Sequence, residues 1–78
     1  MRVKICGITR LEDALLAEAL GAFALGFVLV PGSRRRIAPE AARAIGEALG
    51  PFVVRVGVFR NQPPGAVLRL MEEARLQV

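Results

Sequence analysis

Short apolar runs alternate with longer amphipathic segments along this 78-residue chain, and the pair occurs three times. The apolar runs predict β-strands, at about residues 3–6, 23–30 and 53–59. The amphipathic segments predict α-helices, at about residues 11–20, 39–49 and 63–74. Residues 76–78 have the pattern of the beginning of a fourth strand.

Three consecutive strand–helix units predict a parallel sheet, because each helix returns the chain to the end at which the previous strand began. The spacing is tight and regular, which favours a (β/α)8 barrel over a doubly wound sheet. Eight such units would need roughly 210 residues, within the usual size of that fold. We therefore interpret residues 1–78 as the N-terminal part of a single TIM-barrel domain, with three βα units and the start of strand four.

Composition limits the class of protein. The net charge is +4, and the single cysteine, Cys6, excludes an internal disulfide and fits a reducing cytosol. No apolar segment follows Met1 as in a signal peptide, and no apolar run approaches the ~18 residues of a membrane span. We therefore expect a cytoplasmic protein without a membrane partner.

The alternation of side chains along a strand predicts what each face carries. Lys4 and Cys6 share one face of the first strand, and Arg55, Gly57 and Phe59 share one face of the third. We expect both faces to line the barrel lumen. All seven acidic residues lie in helical segments, so we expect the carboxylates that pair with Lys4 and Arg55 beyond this chain. The alternative is that both cations reach water at the strand ends.

Cys6 is a candidate catalytic residue because it ends the first strand, and barrel active sites lie at the C-terminal ends of the strands. Lys4 on the same face would favour the thiolate, which can remove a proton from carbon. The chain has no histidine to form a cysteine–histidine pair. The alternative is that Cys6 is a small buried apolar residue.

Three arginines, Arg34 to Arg36, follow the second strand at the same end of the sheet. Pro31 and Gly32 restrict this loop, and Ser33 can hydrogen-bond to it. An arginine held there would bind a carboxylate or phosphate through two hydrogen bonds. Such a triplet is also typical of a solvated loop or a weak nucleic-acid patch, but the chain has no Tyr or Trp to stack on bases.

Other residues are expected to make room in the sheet or to cap helices. Gly57 on the expected luminal face would let a ligand approach the backbone; the alternative is that it only relieves crowding. Asn61 is predicted to cap the third helix, and Thr9 with Glu12 has the spacing of a capping box for the first.

Together these segments resemble the phosphoribosylanthranilate isomerase family of tryptophan biosynthesis, whose members are (β/α)8 barrels. The resemblance covers essentially the whole chain. It lies in Lys4-Ile5-Cys6-Gly7-Ile8-Thr9 followed by Glu12-Asp13-Ala14, in Gly26-Phe27 with Pro31-x-Ser33-x-Arg35, and in Val56-Gly57-Val58-Phe59-x-Asn61.

The resemblance implies an isomerase that converts N-(5-phosphoribosyl)anthranilate to 1-(2-carboxyphenylamino)-1-deoxyribulose 5-phosphate without a metal or organic cofactor. By position in the motifs, Cys6 would be the general base at the sugar C2, and Arg35 would hold the anthranilate carboxylate. Lys4, Gly57 and Asn61 would have supporting roles. The family's general acid, an aspartate, and its phosphate-binding loops belong to later strands, outside this chain.

Two alternatives stay open: a small basic module that binds nucleic acid or an anionic surface, and another phosphosugar-binding TIM barrel. We favour the isomerase and expect no nucleic-acid partner. The expected partners are the phosphosugar–anthranilate substrate and the remainder of the barrel, with a homo-oligomer as a further option. The 78-residue piece should be inactive alone, because isomerisation needs both proton partners around one sugar.

Overall fold

The computed structural model describes residues 2–78, with three strands and three helices in strict alternation. Strands β1, β2 and β3 span Lys4–Cys6, Ala24–Val28 and Val54–Val58. Helices α1, α2 and α3 span Leu11–Ala19, Pro39–Ala48 and Pro64–Ala74. The strands are parallel, in the order β1-β2-β3. None of the helices in residues 2–78 has the length and apolar character needed to cross a membrane.

The strands and helices are slightly shorter than the sequence pattern predicts. β2 ends at Val28 rather than at residue 30, because the chain turns soon afterwards: the N–H of Ser33 donates to the carbonyl of Val30 at 3.2 Å. The other boundaries agree with those expected or differ by one residue.

The segment 76–78 is not a strand in the structure, but its backbone lies along β3. The N–H of Gln77 donates to the carbonyl of Arg55 (2.9 Å), and the N–H of Gly57 donates to the carbonyl of Val78 (2.7 Å). The N–H of Val78 also reaches the carbonyl of Arg55, at 3.3 Å. Val78 thus bonds to Arg55 and Gly57, the two neighbours of Val56, and this is the pattern of a parallel ladder. The segment therefore occupies the next strand position without enough bonds to count as a strand.

One face of the sheet packs against the helices and forms the core. Leu25 and Phe27 of β2 are the largest fully buried side chains. Small residues of all three helices, Ala14, Ala42 and Ala74, are fully buried against them. Because alanines let the helices approach closely, the middle strand is sealed from water on this side.

Helix α1 begins without the predicted capping box. Its N-cap is Arg10 rather than Thr9, and no side chain caps it. A capping box needs Thr at the N-cap and Glu three residues later, so the helix begins one residue too late for this pair. The Glu12 carboxylate instead accepts a hydrogen bond from its own main-chain N–H and lies 3.4 Å from Arg10, and these contacts lower its pKa.

The structure reverses the predicted faces of β3. Cys6 is in register with Gly26, and Gly26 is in register with Val56. Because partners in a parallel sheet share a face, the valines of β3 lie on the face of Cys6. Arg55 is in register with the buried Leu25 and therefore faces the helices.

Arg55 finds its polar partners within this chain. Its Nε and Nη1 donate to the main-chain carbonyls of Arg75 and Gly46, each at 3.4 Å. Gly46 lies in the last turn of α2, and Arg75 follows the last residue of α3. Carbonyl groups in the last turn of a helix lack the usual partner four residues later. The guanidinium supplies a donor to both, in addition to the N–H of Leu49, which the Gly46 carbonyl accepts at 3.2 Å. The expectation that Arg55 lines the lumen is therefore wrong, and its guanidinium has main-chain acceptors within residues 2–78.

Candidate active site

Cys6 ends β1 on the face of the sheet opposite the helices, and its thiol is free and exposed. Its register partner Gly26 is buried, and an ideal Cβ on Gly26 would lie 2.9 Å from the Cys6 Sγ. The thiol therefore lies directly against the glycine. Lys4 shares this face, is exposed, and takes part in none of the ion pairs within residues 2–78.

The chain turns immediately after Cys6, through Gly7 in the left-handed region with φ of 86°. Only glycine adopts this conformation without strain. The N–H groups of Gly7 and Ile8 both donate to the carbonyl of Gly26, at 3.0 and 3.1 Å. These two bonds fix the end of β1, and with it the backbone that carries the thiol, to the middle strand.

Arg35 lies in the β2–α2 loop, which Ser33 orders. The N–H of Arg35 donates to the Ser33 Oγ, and the N–H of Arg36 donates to the Ser33 carbonyl, both at 3.2 Å. Arg36 then returns to the sheet and forms a parallel bridge with Val28. The three arginines are thus part of an ordered loop, in which Arg35 and Arg36 make different contacts.

The side chain of Arg35 crosses the backbone of Gly7. An ideal Cβ on Gly7 would lie 2.6 Å from Cδ and 3.2 Å from Nη1 of Arg35. The guanidinium therefore lies beside the residue that directly follows Cys6. The loops after β1 and β2 thus bring a cation and a thiol to the same end of the sheet, as the strand order predicts.

Asn61 lies in the β3–α3 loop and does not cap α3, whose N-cap is Pro63. Its φ of 53° is in the left-handed region, which asparagine tolerates better than most residues. The conformation of the turn therefore accounts for an asparagine at this position. The sequence analysis missed Gln62 in this loop. Its Nε2 donates to the carbonyl of Leu29 (3.4 Å) and its Oε1 accepts the N–H of Arg60 (3.3 Å), which joins the loop to the end of β2.

Gly57 does not face Cys6. An ideal Cβ on Gly57 would lie 2.7 Å from Phe59, 2.9 Å from Leu76 and 3.1 Å from the Met71 Sδ. The glycine therefore leaves room for packing on the helical side of the sheet. The prediction that it leaves room for a ligand on the luminal face is wrong, because the register places β3 the other way round.

A second concave region lies between α2 and α3, near the start of β3. Its cavity of about 260 Å³ is lined in part by Arg43, Glu47, Arg55 and Arg75. Arg43 is paired with Glu47 (2.8 Å), and Arg55 binds main-chain carbonyls, so much of this charge already has partners. Within residues 2–78 there is no group of three or more His, Cys, Asp or Glu side chains that could hold a metal ion.

The sequence profile of a known family matches residues 3–78; the family is described as N-(5′-phosphoribosyl)anthranilate (PRA) isomerase. The chain belongs to the phosphoribosylanthranilate isomerase family. The resemblance inferred from three motifs is thereby confirmed.

Three solved structures of this family are similar to the chain. The phosphoribosyl anthranilate isomerase of Thermus thermophilus is 95% identical, with a TM-score of 0.97 over 99% of this chain and 38% of that one. An enzyme in complex with reduced 1-(o-carboxyphenylamino)-1-deoxyribulose 5-phosphate is 54% identical, with a TM-score of 0.94 over 97% and 39%. Monomers generated from the dimeric Thermotoga maritima enzyme are 50% identical, with a TM-score of 0.91 over 97% and 38%.

These comparisons confirm the fold class: the three βα units are the N-terminal part of a (β/α)8 barrel. The chain spans about 38% of the length of the solved relatives it matches. It includes the ends of the first three strands of the barrel and the loops that follow them.

Proposed function

We propose that this chain is the N-terminal part of an enzyme that converts N-(5-phosphoribosyl)anthranilate to 1-(2-carboxyphenylamino)-1-deoxyribulose 5-phosphate in tryptophan biosynthesis. The observation that carries the proposal is that the Arg35 side chain lies against Gly7, the residue that directly follows Cys6. A thiolate can accept a proton from carbon, and a guanidinium can bind a carboxylate. The substrate of this reaction carries both targets in one molecule: a proton on a sugar carbon and a carboxylate on the anthranilate.

In the proposed reaction Cys6 is the general base. When the sugar ring opens, C1 becomes doubly bonded to the positively charged anthranilate nitrogen, and this makes the hydrogen on C2 acidic. The thiolate of Cys6 takes that proton, and the electron pair of the C–H bond forms the C1–C2 enolamine as the nitrogen becomes neutral. Tautomerisation of the enolamine gives the ketose. Lys4, exposed on the face of Cys6, has a supporting role in this proposal.

The general acid and the phosphate site belong to the remainder of the barrel in this proposal. The β1–α1 side of the structure supports such a partner, because it leaves a run of large apolar side chains exposed. They are Val3, Ile5, Leu11, Leu15, Leu16 and Leu20, with exposed fractions from 36% to 77%. Apolar surface of this extent is typical of a protein interface.

An activity assay tests both the proposed function and the proposal that the general acid and the phosphate site lie in the remainder of the barrel. The complete barrel that contains this segment should turn over N-(5-phosphoribosyl)anthranilate, and the 78-residue chain should not. The loss should be complete, because a base without an acid on the other side of the sugar cannot finish the rearrangement. A folded complete barrel without turnover would refute the proposed function. Turnover by the 78-residue chain would refute the placement of the general acid and the phosphate site in the remainder of the barrel.

We also propose that the complete enzyme forms a homo-oligomer through the α2–β3 turn. Phe52 at this turn has 91% of its surface exposed, beside Pro51. The N–H of Gly50, in the same turn, donates to the Glu18 carboxylate of α1 at 2.6 Å and holds the turn in place. The similar enzyme from Thermotoga maritima is described as dimeric. A second copy that buries Phe52 would remove this apolar surface from water.

Phe52→Ala in the complete barrel should therefore shift the enzyme toward monomers. Burial of a phenylalanine contributes about 1.5–3 kcal/mol, so loss from both copies should raise the dissociation constant by roughly 10²-fold or more. Sedimentation velocity over a concentration series measures this. Leu68→Ala is a suitable control, since Leu68 is also largely exposed (67%) but lies on α3. An unchanged sedimentation profile for Phe52→Ala would rule out this interface.

The location we propose for the enzyme is the cytoplasm. Its free, exposed thiol has to stay reduced in order to act as a base, and the cytoplasm keeps thiols reduced. Recovery of the enzyme in a secreted fraction would contradict this.

A further inference from the structure

Gly26 lies beside the candidate base, and the reaction proposed above gives it no role. It is buried in β2 and is the register partner of Cys6. An ideal Cβ on Gly26 would lie 2.9 Å from Sγ, and 3.3 Å from both Cα and Cβ, of Cys6. Non-bonded carbon and sulfur atoms do not approach this closely at rest. A side chain at position 26 and the thiol in its present place therefore exclude each other.

The backbone gives no other reason for glycine at this position. Gly26 is not among the residues with positive φ, and it lies within a regular strand, where any residue type fits the backbone. Glycine inside a strand weakens it, because it has more freedom to lose and no side chain to pack. The neighbouring positions on the same face carry side chains, Ala24 and Val28. Among these three positions, only Gly26, opposite Cys6, has to lack a side chain.

We propose that Gly26 is a positioning residue, whose missing side chain creates the space that the Cys6 thiol occupies. The carbonyl of Gly26 already fixes the backbone after Cys6, through the N–H groups of Gly7 and Ile8. With that backbone held, rotation about the Cα–Cβ bond of Cys6 is the main freedom left to Sγ. Gly26 lets the thiol rest against the strand instead of being turned away from it. The effect on turnover rests on the proposed function, whereas the geometry does not.

The first test is Gly26→Ala in the complete barrel. We expect kcat to fall by about 10²-fold, because a misplacement of roughly 1 Å at a reacting group has a cost of that order. KM should change much less, since Arg35 lies across Gly7, whereas the atoms nearest to a Cβ on Gly26 are those of Cys6. A folded Gly26→Ala enzyme with unchanged kcat would overturn the proposal.

The second test measures the contact without using activity. Gly26→Ala should lower the melting temperature by a few degrees, about 3 °C or more for a barrel of this size. In a Cys6→Ala background the loss should be about half or less, because Sγ is gone and the two positions are coupled. An equal loss in both backgrounds would overturn the proposal. If Gly26→Ala alone does not fold, the double variant should still fold, and its failure to do so would count against the inference.

Gly46→Ala is the matched control. Gly46 is also buried, and an ideal Cβ on it would lie 2.6 Å from the Arg55 Cδ, between α2 and β3. It should lower the melting temperature equally in both Cys6 backgrounds and leave kcat nearly unchanged. If the complete barrel has no isomerase activity at all, the proposed function fails. The melting temperatures then still decide whether Gly26 positions the thiol.

Discussion

Replacement of Cys6 by alanine in the complete barrel is expected to lower kcat by about 10²–10⁴-fold, the range for loss of a general base. The thiol is exposed at the C-terminal end of β1, and no histidine in the chain can take its place. KM should stay within a few-fold of the wild-type value, because the carboxylate contact of Arg35 is retained. Steady-state kinetics with N-(5-phosphoribosyl)anthranilate measures both constants.

Cys6→Ser is the companion variant. A hydroxyl group keeps the shape of the side chain but is a far weaker acid than a thiol, so almost none of it is ionised near neutral pH. We expect Cys6→Ser to be nearly as slow as Cys6→Ala, with a melting temperature close to that of the wild type. Near-normal kcat in Cys6→Ala would remove Cys6 from the mechanism.

Arg35→Ala should act mainly on KM, by about 10–100-fold, because a charge-assisted hydrogen-bonded contact contributes roughly 1.5–3 kcal/mol. The guanidinium lies beside the loop that carries the thiol, where it can hold the anthranilate carboxylate while Cys6 reaches the sugar. The kcat should fall much less, since the base remains in place. Arg34→Ala is the control, because Arg34 is an exposed cation in the same loop. An unchanged KM for Arg35→Ala would contradict the carboxylate contact.

Gly7 offers an independent check on the position of Arg35. A methyl group on Gly7 would meet the Arg35 Cδ at 2.6 Å, so Gly7→Ala should displace the guanidinium and raise KM as Arg35→Ala does. Gly21→Ala separates this effect from backbone strain. Gly21 has almost the same φ, 88° against 86°, but an added Cβ there would have no neighbour within 4 Å. Gly21→Ala should therefore lower stability without raising KM, and equal KM values for the two variants would argue against the contact.

The order of elements and the place of the site follow from local patterns. Apolar runs and amphipathic segments repeat along the chain, and parallel strands put all their C-terminal ends at one edge. This is sufficient to place Cys6 and Arg35 at the same end of the sheet. The contact of Arg35 with Gly7 depends on the path of the β2–α2 loop, which the bonds of Ser33 determine. No spacing along the chain encodes that path.

The faces of β3 show a limit of strand patterns. Alternation tells which residues share a face, but only pairing with a neighbouring strand tells which face it is. The charge of Arg55 favours the lumen only on the assumption that a charged strand face belongs there. In the structure the register gives the luminal side to Val54, Val56 and Val58, and the cation binds the ends of two helices.

The caps of α1 and α3 differ from those that short motifs predict, although both helices begin within one residue of the predicted positions. Thr9 and Asn61 are residue types that favour N-caps, yet α1 and α3 begin after Arg10 and Pro63. A cap depends on the residue at which the first helical turn closes, and boundaries of this kind shift by one or two residues with tertiary packing. Gln62 escaped notice because an amide between a turn residue and two prolines forms no recognisable pattern.

The partners that hold Arg55 have a consequence for the behaviour of the protein in acid. The carbonyl groups of Gly46 and Arg75 are main-chain acceptors without a proton to gain, so their partial negative charge is present at every pH. A carboxylate in their place would become neutral in acid and leave a half-buried cation without a counter-charge. The contacts of Arg55 with the ends of α2 and α3 therefore do not depend on the protonation of a carboxyl group.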